Sequence, residues 1–208
     1  MSSQGDLLLN PLPNRIVRYY HILQEECERE ISLINDLLDL QRLDGGNHPI
    51  NPTEIRLQDW LSSIVNGFHA RIKNRQQQLD LAISPAAVQV VSDSASLERV
   101  IAELLNNACK YTPPGGHIVL DVSPQGEELI KFSIRNTGVE IPASELSRIF
   151  EKFYRVPSAD PWKQGGTGLG LALVQRLLIH LNSDIQVASG DNQTCFSFNL
   201  PRKLMPMA

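Results

Sequence analysis

At 208 residues the chain has room for one ordinary domain and an appendage. Its 42% apolar and 20% charged residues suit a globular protein, not a disordered one. A formal charge of −4 excludes a general nucleic-acid footprint, which needs clustered positive charge, and no run of 18 apolar residues supplies a membrane span. The opening MSSQGDLLLN has no basic n-region and does not read as a signal peptide. Cys27, Cys109 and Cys195 never form Cys-x-x-Cys and read as small core residues in a reducing, cytoplasmic setting. The histidines at 21, 48, 69, 117 and 180 lack metal-ligand spacing.

Residues 1–13 are polar, contain prolines and read as disordered. One long helix is expected over 14–46, ending at Gly45-Gly46. Ile16, Tyr20, Leu23, Cys27, Ile31, Ile34 and Leu38 recur every three or four residues, forming one apolar stripe. The opposite face carries Glu25, Glu28, Arg29, Asp36 and Arg42. Such a stripe calls for partner helices; packing on its own domain is the plainer alternative. Residues 47–53 read as a linker. A short extended piece, Glu54 to Leu57, precedes a helix from about Gln58 to Arg75. Strands follow at Leu79–Ile83 and Val88–Val91, then a helix capped by Ser94 or Ser96 and ending near Tyr111. His117–Val122 and Leu129–Arg135 form a strand pair, followed by a turn from Asn136 to Pro142 and a short helix to about Phe150. An irregular stretch from Glu151 to Gly165 precedes the last long helix. Ile185–Ala188 and Thr194–Leu200 then make a hairpin around Gly190-Asp191-Asn192. Residues 202–208 read as a tail. Mixed strands and helices without regular βαβ alternation indicate α+β: one sheet covered by helices on one side.

Four segments carry chemistry. GGTGLGLALV, from residue 165, places glycines at a helix start, where each costs about 1 kcal/mol relative to alanine. Bare amides at a helix N-terminus make an anion site with phosphate as the natural guest; a flexible hinge is the alternative. Residue 171 is leucine, so GxGxxG fails, and GxxxxGK[ST] is absent too. In ELLNNACKYTPPGG, residues 103–116, Glu103, Asn107 and Lys110 share one helical face. The amide oxygen suits Mg²⁺, the lysine suits phosphate, and Tyr111 offers a ring to a base; a plain amphipathic helix is the alternative. RNTGVEIP, residues 135–142, puts Asn136 and Gly138 at a strand end, and alone reads as a turn. IFEKFYRVPSADPWKQ, residues 149–164, offers Phe150 and Phe153 as anchors and a Pro-interrupted loop with Arg155 and Lys163, suited to a mobile lid.

In this order and spacing the four pieces resemble the catalytic ATP-binding domain of sensor histidine kinases. They look like its N box (Asn107 to Thr112), first G box (Asn136 to Ile141), F box (Phe150 to Arg155) and second G box (Gly166 to Gly170). The ending INDLLDLQRL of the long helix looks like the second helix of the dimerisation and phosphotransfer hairpin. The resemblance implies a Bergerat-type two-layer α/β sandwich: a mixed sheet with helices on one face, over residues 54–201. It implies ATP and Mg²⁺, with Asn107 holding the metal and Lys110 and Arg155 on phosphate. Tyr111 and Ile141 would flank adenine. Gly166, Thr167, Gly168, Leu169 and Gly170 would wrap the phosphates, with Thr194 near the nucleotide. It also implies a response-regulator receiver domain as partner and a homodimer through residues 14–44.

Three positions depart from the family pattern. Asn136 stands where an aspartate accepts from the adenine amine, Glu140 replaces a glycine, and Glu103 replaces the first asparagine of the N box. Glutamate there is also typical of the related gyrase, chaperone and mismatch-repair ATPases, where it activates water, so Glu103 is the candidate catalytic residue. The acceptor motif His-Glu-x-x-[Thr/Asn]-Pro is absent, and His21 reads as a surface or helix-interface residue. The chain is therefore expected to be a fragment lacking the first phosphotransfer helix, able to bind Mg-ATP but not to autophosphorylate. Two rivals stay open: an ATP hydrolase of the wider superfamily, and a non-catalytic dimerising module with a degenerate pocket.

Overall fold

The computed structural model describes residues 14–46, 49–157 and 166–204. The expectations for residues 1–13, for Lys163 and most of the lid, and for residues 205–208 lie outside the described residues, as does the side chain of His21.

A five-stranded mixed sheet is the floor of the fold, with order β2-β4-β5-β7-β6. Its strands are β2 (Gln78–Ile83), β4 (His117–Gln125), β5 (Leu129–Thr137), β6 (Ile185–Gly190) and β7 (Gln193–Pro201). Only β2 and β4 run parallel, joined by a crossover that contains β3 (Gln89–Asp93) and α4 (Ser94–Tyr111). The remaining neighbours are antiparallel. Alternate residues of β4, β5 and β7 are buried, which commits one sheet face to the helices. Ile118, Leu120, Ile130, Phe132, Phe198 and Leu200 meet Leu97, Ile101, Leu104 and Leu105 of α4, and Leu173, Leu177 and Leu178 of α5 (Gly170–His180). Phe132 and Phe198 stack with ring centroids 5.0 Å apart. This is the expected two-layer α/β sandwich.

Several local expectations change. β1 (Pro52–Arg56) pairs with β3 in a separate two-stranded sheet, so Pro52 and Thr53 of the expected linker already belong to the fold. The helix expected over 58–75 divides into α2 (Leu57–Gly67) and α3 (His69–Asn74). Gly67 is a weak helix former. Beyond it the Phe68 N–H bonds back to Val65 and tightens the turn, after which α3 buries Ile72. Neither Ser94 nor Ser96 caps α4: Asp93 does, its carboxylate accepting from Ser96 N–H at 2.8 Å and from Asn51 N–H at 2.8 Å. The short helix before Phe150 is a run of turns, held mostly by bonds spanning three residues, such as Glu145 N–H to Pro142 O. Arg202 and Leu204 are not tail. The Arg202 carbonyl accepts from Val91 N–H, and Leu204 is 2% exposed.

The long helix α1 (Asn14–Asp44) is present, but the docked face is not the expected stripe. Leu23, Ile31, Ile34 and Leu38 stay exposed, as does Cys27, which corrects its reading as a core residue. Leu40 is fully buried instead, with Asp36 nearly so and Leu33 and Leu43 packed alongside. The helix thus has two apolar faces, one covered by its own domain and one uncovered. No described helix is long and apolar enough to cross a membrane.

Leu40→Ala is expected to lower the unfolding free energy by about 2–5 kcal/mol. Ile34→Ala, on the uncovered face, should change it by less than about 0.5 kcal/mol in dilute monomer. Urea denaturation distinguishes them.

Candidate functional site

α4 holds Glu103, Asn107 and Lys110 on the face turned toward the start of α5. That closeness shows as missing space. A Cβ on Gly170 would lie 2.7 Å from the Glu103 Oε2, and one on Gly166 would lie 2.7 Å from the Lys110 Nζ. The two segments singled out in the sequence therefore face each other at both ends. Asn107 sits between Glu103 and Lys110, half-buried, and its amide takes part in no described hydrogen bond. The Lys110 ammonium also lies 4.8 Å from the centroid of the half-buried Tyr111 ring.

The glycine segment has its own geometry. Gly168 adopts φ +73°, and a Cβ there would come within 2.8 Å of the Phe153 backbone. The Phe153 N–H donates to the Gly168 carbonyl at 2.9 Å. Phe153 thus acts through its backbone, and its ring is 60% exposed. Phe150 does anchor, edge-on to Phe196. Among the described residues no side chain caps the first turn of α5. Leu169 differs from the expectation: its side chain is fully buried and its N–H goes to Thr167 Oγ1 at 3.3 Å. Arg155 follows Phe153 and is exposed.

The turn after β5 lies against Pro113, just beyond the end of α4, and a Cβ on Gly138 would collide with the Pro113 ring. Asn136 pairs in register with Thr194 of β7, and both are 4% exposed. The Asn136 Nδ2 is buried without a hydrogen-bond partner. Thr194 holds the turn: its hydroxyl donates to the Val139 carbonyl at 2.8 Å and meets Ser189 Oγ at 2.9 Å. Ser189, which sequence reasoning missed, also accepts from Ile141 N–H at 2.8 Å. Gly138 N–H donates to Asn192 O, and the Glu140 carboxylate accepts from Asn192 N–H. Glu140 therefore braces the turn against the hairpin.

The sequence reading also missed the ionic groups behind the site. Arg99, one turn before Glu103, lies 3.2 Å from its carboxylate and also pairs with the buried Asp36 of α1. At the end of α1, Asp44 pairs with Lys152 at 2.8 Å and Arg176 at 3.1 Å. The i,i+4 spacing of Arg99 and Glu103 was available as a signal; the cross-helix partners were not. Burial pushes the Glu103 carboxyl above its ordinary range, Arg99 opposes this, and Asp36 adds to it. The same burial raises Asp36, again against Arg99.

A carboxyl whose folded pKa is raised contributes its full stability below the unfolded value and loses it as pH rises through the folded value. Glu103→Gln should therefore raise thermal stability at about pH 8, and the gain should vanish below about pH 4. Melting curves across that range check the sign.

Residues 92–204 match the family model described as histidine kinase-, DNA gyrase B-, and HSP90-like ATPase. The sensor histidine kinase WalK of Bacillus subtilis is 33% identical over 189 residues, covering 89% of this chain and 31% of WalK. Full-length ShkA, solved in complex with AMPPNP, superposes with TM-score 0.78 at 24% identity, over 92% of this chain and 40% of that one. Histidine kinase ThkA, solved in complex with response regulator protein TrrA, gives TM-score 0.73 at 18% identity, over 93% of this chain and 53% of that one. The chain thus spans about a third to a half of these relatives. The match over β3 to β7 and the two facing motif segments lead to one conclusion: the chain belongs to the histidine kinase-, DNA gyrase B-, and HSP90-like ATPase family and resembles the sensor histidine kinases within it.

Proposed function

We propose that this chain is the Mg-ATP-binding kinase domain of a sensor histidine kinase, joined to the second helix of its phosphotransfer hairpin. The observation that carries this reading is the approach of Glu103 and Lys110 to the bare backbone at Gly170 and Gly166. Uncapped amides and the helix dipole favour an anion there. Lys110 adds a point charge, and Arg155 can add a second from the lid stem. The metal fits the donors present: Asn107 brings a neutral amide oxygen that no other described residue uses, and Mg²⁺ keeps most of its waters and bridges phosphate oxygens. Bound there, it would neutralise charge that develops on those oxygens.

Tyr111, Ile141 and Asn136 would enclose the base. Asn136 can accept from an adenine amine through Oδ1. In the transfer, the γ-phosphorus loses its bond to the ADP oxygen and gains one to an imidazole nitrogen of an acceptor histidine. Glu103, the carboxylate beside the start of α5, would receive the displaced proton. The acceptor belongs to the first hairpin helix, and relay to a response-regulator receiver domain would follow. The uncovered stripe Leu23, Ile31, Ile34 and Leu38 fits homodimerisation through α1.

The raised Glu103 carboxyl beside α5 also supports a second reading, a Mg-ATP hydrolase.

Calorimetry should show Mg-ATP binding to the chain, with no acid-labile label left after incubation with labelled ATP. Asn107→Ala should weaken binding roughly tenfold. Absence of binding at millimolar nucleotide would refute the kinase-domain reading, and steady phosphate release abolished by Glu103→Gln would favour the hydrolase. Asn136→Asp should tighten Mg-ATP by roughly three- to tenfold, because a carboxylate accepts the amine more strongly than an amide does and cannot turn an N–H toward it.

A further inference from the structure

Among the described acidic side chains of α1, Asp36 alone is almost wholly buried, at 4% exposure. Burying a carboxylate is costly unless it is paired. Its partner is the Arg99 guanidinium of α4, and Arg99 reaches Glu103 as well, at 3.2 Å. The Arg99 Nε is itself buried without a hydrogen-bond partner, so its terminal nitrogen serves both carboxylates. Glu103 in turn presents Oε2 to the bare start of α5 at Gly170. The result is an ionic chain, Asp36–Arg99–Glu103, running from the long helix to the backbone of the glycine segment.

We propose that Arg99 is a positioning residue for Glu103 and that Asp36 acts through it, so that docking of α1 sets where the Glu103 carboxylate lies beside α5. With α1 docked, the guanidinium is shared and held at the α1 side. With α1 away, Arg99 belongs to Glu103 alone and draws the carboxylate back along its own helix. A second attachment fixes the same helix end, where Asp44 meets Arg176 of α5 and Lys152. The charged groups facing Glu103 are Arg99 on its own helix and Asp36 on α1, while α5 presents only its amide end. Asp39 acts on Asp36 from within α1. The inference rests on the reading of Glu103 as the reacting carboxylate, but its test needs no nucleotide.

The chain labelled with ¹³Cδ-glutamate is titrated by NMR, the Glu103 signal being identified as the one absent from Glu103→Gln. Asp36→Asn should shift that signal and move its midpoint to lower pH, since the guanidinium then serves Glu103 alone and a like charge is gone. Asp36→Glu should restore the original behaviour. In an Arg99→Gln background, Asp36→Asn should keep only the smaller part of its effect, that of the lost like charge; Arg99→Lys provides a charged control if Arg99→Gln unfolds. A Glu103 signal indifferent to Asp36→Asn, or one that responds equally with Arg99 already replaced, overturns the proposal. Calorimetry on the same samples reports separately whether Mg-ATP binds, so failure of the ATP reading is distinguishable from failure of this one.

Discussion

Two flexible side-chain ends of α4 reach the beginning of α5: Glu103 Oε2 and Lys110 Nζ lie 2.7 Å from where Cβ atoms on Gly170 and Gly166 would fall. The rest of the architecture serves this closeness. Leu104 and Leu105 of α4, and Leu173 and Leu177 of α5, press both helices onto one sheet face and fix their separation. Phe153 and Gly168 then exchange a backbone hydrogen bond that only a left-handed glycine allows at that distance. The weak helix propensity of the glycines is offset by packing one turn later, where Leu173 is fully buried.

The polar groups that surround this gap divide into two kinds. Thr194, Ser189 and Glu140 are spent on the fold: their bonds hold the turn after β5 against the last hairpin. Asn107 and the Asn136 amide nitrogen have no described partner, and one is half-buried while the other is fully enclosed. Leaving buried polar atoms unpaired costs stability.

Much of this was legible in the sequence, because periodicity and turn chemistry act locally. Alternation placed β4, β5 and β7, and the i, i+4, i+7 spacing put Glu103, Asn107 and Lys110 on one face. What was missed depends on neighbours distant in the chain. Pro52 and Thr53 of β1 looked like linker because their partners in β3 lie about forty residues on. Nothing in sequence shows that Val139 and Ser189 come to meet the Thr194 hydroxyl. Phe153 read as an anchor from its type, whereas its φ of +65° turns the ring outward.

The long helix shows the limit most clearly. Its apolar stripe was correctly periodic, yet that stripe is the face left uncovered, and the docked face runs through Asp36. In sequence, a buried carboxylate and a solvated one are the same letter. Only the arrival of Arg99 from another helix makes the burial possible, and that is a tertiary event. The docked face, with Leu40 and Asp36, and the uncovered apolar stripe therefore use different residues of α1.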